Sequence, residues 1–223
     1  MLTKIAQAMA CFEGICDRPS RKQMQLSAET DFDQLRDTSR AIGRGALTPI
    51  FDPDLCDFSE ADAVWIRGLD ANAEVCHIQA ARFVGTGSLR QNILANRALY
   101  MSRGLGISPE KSEVVFRQNL SGRLVYHGEL WLRPDFRAKG LGSELLVSMM
   151  KFCQSRWRFD YFFGLSLPHT TNAAFARKMG YSDIEPIGVR WRDGKGEPVR
   201  DEGLVWRAKS AGASDNLGGR SAA

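Results

Sequence analysis

A chain of 223 residues with 43% hydrophobic and 25% charged residues has ordinary globular composition and enough apolar material for one core. Its 30 Lys and Arg stand against 26 Asp and Glu, and the resulting charge of +4 is scattered rather than gathered into a basic stripe with interleaved aromatics. That distribution argues against nucleic acid as a partner. Five cysteines, Cys11, Cys16, Cys56, Cys76 and Cys153, show neither paired zinc spacing nor a disulfide framework, and no segment reaches the roughly 18 uncharged residues of a membrane helix. The expectation is a cytoplasmic protein with reduced thiols, no metal and no membrane contact.

Along the chain, Ile5, Met9, Phe12 and Cys16 recur at helical spacing, so residues 1–20 read as an N-terminal extension with a marginal helix. Thr30 followed by Asp33 has the form of a capping start, and Phe32, Leu35 and Ile42 then share one helical face that Gly43 and Gly45 end. Val64 to Leu69 and Val75 to Val84 are β-rich runs around a short polar turn, which predicts an antiparallel hairpin. A helix over about Leu89 to Arg103, within an insert from Gly85 to Ser121, is closed by Gly104 and Gly106.

The second half is more regular. Arg123 to Leu132 reads as a strand stopped by Arg133-Pro134-Asp135. A helix from Gly142 to about Arg156 places Leu145, Met149 and Phe152 inward and Ser143, Glu144, Ser148, Lys151 and Ser155 outward. Phe159 to Leu167 is the near-continuous apolar run of a strand covered on both faces, and Thr170 to Met179 is a short helix stopped by Gly180. Tyr181 to Arg192 and Glu197 to Ala208 pair around Asp193-Gly194-Lys195-Gly196. One domain over 21–208 is expected, followed by a tail over 209–223 whose Ser, Ala, Gly and Asn content cannot build a core.

The sharpest feature is Arg137-Ala138-Lys139-Gly140-Leu141-Gly142, between a strand and an amphipathic helix. Glycines there admit a ligand close to the backbone, and the free N–H groups of a helix start form an anion site suited to a pyrophosphate. The glycine spacing is not that of a Walker loop, and the third glycine of a dinucleotide fingerprint is replaced by Leu145.

The stretch from Glu129 to Gly142 closely resembles the coenzyme A motif of the GNAT superfamily: Arg or Gln, two residues, Gly, one residue, Gly or Ala. Arg177-Lys178-Met179-Gly180-Tyr181 resembles that family's second motif, which commonly ends Lys-x-Gly-Phe. The two motifs together span about Arg123 to Tyr181. The resemblance implies an α/β (α+β) fold with a mixed, mostly antiparallel sheet, splayed at its centre between the two strands of the motifs and flanked by helices. It also implies acetyl-CoA as co-substrate, with the pantetheine arm lying in the splay. Leu132, Arg137, Ala138, Lys139, Gly140, Leu141, Gly142, Ser143 and Asn172 are the residues it points to for holding it.

What the resemblance implies chemically is an N-acetyltransferase in which a primary amine attacks the thioester directly. Partners would be a small-molecule amine or a peptide, with a homodimer compatible with the family. Backbone N–H near Leu132 would serve as oxyanion donor, and the base would come from Tyr126, His127 or Glu129, with Glu129 favoured. The tyrosine that commonly acts as acid is replaced by Ala176, which turns attention to His169. Two alternatives remain open at this point: an acyltransferase for long chains on CoA or a carrier protein, and an acyl-CoA-binding sensor without turnover. His77 is expected to pack, and the five tryptophans to supply core or cleft bulk.

Overall fold

The computed structural model describes residues 24–101, 104–137, 140–167 and 172–209; the expected helix at 1–20 and the tail from 210 onward lie outside them. The chain opens with β1 (Gln25–Glu29), a strand that periodicity did not reveal because it is five residues long and lies at the sheet edge. Helix α1 (Phe32–Ala41) follows, with Phe32 and Leu35 buried. Its cap corrects the expected one: Asp31, not Thr30, accepts the Gln34 N–H at 3.0 Å. The predicted hairpin is β2 (Ala63–Leu69) and β3 (Val75–Ser88), antiparallel, with β3 running on past Val84.

The expected helix from Leu89 to Arg103 is two pieces, α2 (Leu89–Ala95) and α3 (Arg97–Tyr100), which break at Asn96. Asn96 leaves helical geometry at φ -120° and ψ 28°, while its backbone N–H and its side chain both donate to Asn92 O. A two-residue strand, β4 (Glu113–Val114), was not legible at that length. Then come β5 (Ser121–Leu132), α4 (Leu141–Trp157), β6 (Tyr161–Ser166), α5 (Ala173–Lys178), β7 (Asp183–Arg192) and β8 (Pro198–Ala208).

The described strands form one sheet in the order β1-β2-β3-β5-β6-β8-β7-β4. All neighbours are antiparallel except β5 and β6, so the mixed, mostly antiparallel sheet is as expected. One face packs on α4, where Leu145, Met149 and Phe152 have no exposed surface; the other packs on Phe32, Leu35, Leu89, Ile93 and Tyr100 from α1, α2 and α3. Ser148, expected outward on α4, is buried at 6% exposure. Trp65, Trp157, Trp191 and Trp206 are buried, and Trp131 is half-buried against the second core.

Candidate functional site

Two local features open the sheet where the motifs meet. The parallel ladder between β5 and β6 lasts three residues, Leu124 with Tyr161, Val125 with Phe162 and Tyr126 with Phe163, while β5 continues to Leu132 and β6 to Ser166. This is the expected central opening. On its other side, Ile78 pairs with Trp131 and Ala80 with Gly128, so two residues of β5, Glu129 and Leu130, oppose one of β3. Glu129 takes the extra residue's left-handed backbone at φ 56°, a conformation that costs a non-glycine residue on the order of 1 kcal/mol.

That strain is held from a distance in sequence. Arg44 donates to Glu129 O at 2.6 Å and approaches its carboxylate at 3.2 Å, while the Thr48 N–H donates to Glu129 Oε1 at 2.8 Å. The Glu129 side chain is only 3% exposed. Neither partner was identifiable in the sequence, since Arg44 and Thr48 lie 85 and 81 residues away. Removing one partner of a buried pair typically costs 3–5 kcal/mol; because Arg44 is 27% exposed, Arg44→Ala is expected to cost about 2 kcal/mol in urea unfolding, and an unchanged midpoint would deny the anchor.

The backbone alternation of β5 turns one N–H into the opening. Arg133 N donates to Cys76 O on β3, so the preceding residue, Leu132, points its N–H and C=O the other way. Its carbonyl accepts from Arg137 Nε at 2.7 Å, and its N–H remains the donor directed at the gap. Beyond the 3₁₀ turn Pro134–Phe136, Gly140 sits at the N-cap of α4 with φ 76°, a left-handed turn that glycine makes without penalty. No side chain caps this end, and Ser143 Oγ instead bonds Gly140 O at 2.9 Å, leaving the first-turn N–H groups for a ligand. A Cβ on Gly140 would meet nothing within 4 Å, and one on Gly142 would meet only Met179 at 3.7 Å. Ala138, Lys139 and His169 lie outside the described residues.

The remaining expected residues have partners of their own. Asn172 caps α5, its side chain accepting the Phe175 N–H at 2.7 Å. Ala176 is buried at 2% exposure in the α4 core, so no phenol reaches the site from that position. Tyr126 packs among Phe51, Tyr100 and Phe163, and burial, then the nearby Glu202 and Glu129 charges, push its hydroxyl well above its ordinary range. It holds its proton.

His127, on the opposite face of β5, belongs to a polar strip beneath α4. Gln79 Nε2 donates to Leu145 O at 3.1 Å, which turns Gln79 Oε1 toward His127 Nε2 at 3.2 Å and makes that nitrogen the protonated one. His127 Nδ1 is then an acceptor for the Tyr181 hydroxyl at 3.2 Å. Burial lowers His127 to about 3, with His77 adding to the effect, and lowers His77 itself to about 4. Both rings stay neutral near pH 7. His77 has no exposed surface and donates from Nδ1 to Trp131 O at 2.7 Å, a packing role as expected. Gln79 and Tyr181 were not singled out as site residues, although Tyr181 closes the second motif.

Among the described residues no group of three His, Cys, Asp or Glu is placed to hold a metal, and no helix is long and apolar enough to cross a membrane. Cys56, Cys76 and Cys153 are free thiols.

No protein-family model and no curated protein matches the chain. Among solved structures, NAA60 of Arabidopsis thaliana in complex with acetyl-CoA superposes with a TM-score of 0.50 at 15% identity, over 83% of this chain and 98% of that one. Spermidine N-acetyltransferase from Vibrio cholerae gives 0.49 at 8% identity, over 85% and 95%, and adds no weight. The motifs at 129–142 and 177–181, the three-residue ladder between β5 and β6 and the superposition agree: this chain has the GNAT acetyltransferase fold.

Proposed function

We propose that the protein is an acetyl-CoA-dependent N-acyltransferase that acetylates a primary amine. The observation that carries this reading is the opening beyond Tyr126 and Phe163, flanked by the uncapped N-terminus of α4. The residues fit the co-substrate. First-turn N–H groups from Leu141 to Ser143 would hold the pyrophosphate, Gly140 would admit it close to the backbone, and Arg137 is exposed beside them. Acetyl-CoA supplies an activated acyl carbon on a thiol leaving group.

The Leu132 N–H, directed into the gap, stabilises negative charge developing on the carbonyl oxygen. The attacking amine must first lose a proton. His127 is a poor acceptor because burial holds it neutral, and Tyr126 keeps its own proton. Glu129 is the carboxylate at the bulge, with lone pairs left beyond its bonds to Arg44 and Thr48, and takes the proton through a water. With Ala176 in place of a phenol, the thiolate leaves without an acid from that position; a free thiol has a pKa of about 8.5, so turnover survives.

The test is incubation with acetyl-CoA and a panel of small amines and peptides, read by thiol release and by mass of the product. Acetylated product supports the reading. Binding of CoA without turnover on any amine would leave a sensor, and a preference for long-chain thioesters would favour the long-chain acyltransferase. Glu129→Gln should lower turnover about tenfold or more, most at low pH, with CoA affinity kept. An identical pH profile would remove Glu129 from the proton path.

A further inference from the structure

A pocket of about 270 Å³ lies between α4 and the end of β8, walled by Val147, Met150 and Phe159. It is not part of the coenzyme opening: Lys151 and Gln154, which line it, stand ten and thirteen residues along α4 from Leu141, about 15–20 Å at 1.5 Å per residue. Among the described residues, every charged residue lining it is a cation: Lys151, Arg207 and Lys209. Arg207 spends one N–H on Gly180 O at 2.8 Å, and among the described residues Lys209 is tied only through its backbone, to Asp160 O. The neighbouring Asp160 carboxylate is turned away to the Arg123 N–H at 2.8 Å. One polar atom is left over: Gln154 Oε1 is buried and accepts no hydrogen bond among the described residues.

These features specify a ligand. The apolar walls ask for a compact apolar body, the cations for a carboxylate, and Gln154 Oε1 for an N–H donor beside that body. A fatty acid offers the first two and not the third. We propose that this pocket is a second small-molecule site, for an N-acylated apolar amino acid, with its carboxylate toward Lys151 and Lys209 and its amide N–H on Gln154. The assignment does not depend on the acyl-transfer reading. Its wall touches the other site, since a Cβ on Gly180 would stand 2.8 Å from Val147, and the next residue, Tyr181, bonds His127 beneath the opening.

N-acetyl-L-phenylalanine titrated into the full-length protein by calorimetry is expected to bind one equivalent. N-acetylphenylalaninamide, lacking the carboxylate, and 3-phenylpropionate, lacking the N–H, should each bind about tenfold more weakly or worse. The double charge reversal Lys151→Glu with Lys209→Glu changes two exposed side chains and should weaken the parent probe about tenfold while leaving the thermal shift by CoA unchanged. Ala208→Trp, at an exposed position on the rim, should block it. The proposal is overturned by absence of saturable binding, by equal binding of the three probes, by binding indifferent to both variants, or by displacement of the probe by CoA.

Discussion

Between pH 7 and pH 5 the protein is expected to lose about 4 kcal/mol of stability through two buried histidines, about 2 kcal/mol from each. His127 and His77 are both neutral in the fold, held at about 3 and about 4 chiefly by burial, against an ordinary value of 6.5. The sign follows from the proton count. Above pH 6.5 neither state binds these protons and nothing changes; below it the unfolded chain takes them up while the folded chain refuses, so stability falls as pH falls toward 4 and 3. pH 5 lies about 1.5 units below the unfolded value of both histidines, and each unit is worth about 1.4 kcal/mol. Urea unfolding of wild type and His127→Gln at both pH values measures it. The variant should be weaker at pH 7, having disturbed the bonds to Gln79 and Tyr181, but should lose only about half as much on acidification. Parallel pH dependence in the two proteins would show that His127 protonates freely in the fold.

Gly142→Asp is expected to cost at least about a hundredfold in CoA affinity with the fold intact. The new carboxylate would stand in the first turn of α4, where an acidic residue complements the helix dipole, and its Cβ would meet Met179 Cε at an ordinary 3.7 Å. A pyrophosphate in the same turn would face that charge at about 5 Å, which at an effective dielectric of 20 is about 3 kcal/mol for unit charges. Equilibrium binding of CoA and the unfolding midpoint should be read on the same preparation. Undiminished affinity in a folded variant would move the pyrophosphate away from α4 and withdraw the chief support for acyl transfer.

The second half of the chain was legible because its signals are local. The apolar run at 159–167, the inward stripe Leu145, Met149 and Phe152, and the glycines at 140 and 180 each express a rule that acts within a few residues: strand burial, helical period, left-handed turn. The element order of this half follows from them, and so does the glycine loop that precedes α4. The first half was harder to read for the same reason in reverse. β1 and β4 carry five and two residues, too few for a period to show, and the break at Asn96 that parts α2 from α3 has no glycine or proline to mark it.

The chemistry of the candidate residues was decided only by the tertiary structure. Tyr126, His127 and Glu129 were three candidate bases on one strand leading to the motif, with Glu129 favoured. Alternation along β5 sends Tyr126 to an aromatic core and His127 to the polar strip under α4, and the bulge gives Glu129 to Arg44. Whether a side chain can take or give a proton depends on its desolvation and on the partners of its lone pairs, and those partners, Gln79, Tyr181 and Arg44, lie 48, 54 and 85 residues away along the chain. Sequence patterns report which face a residue belongs to; only closure of the sheet brings together the groups that set its charge.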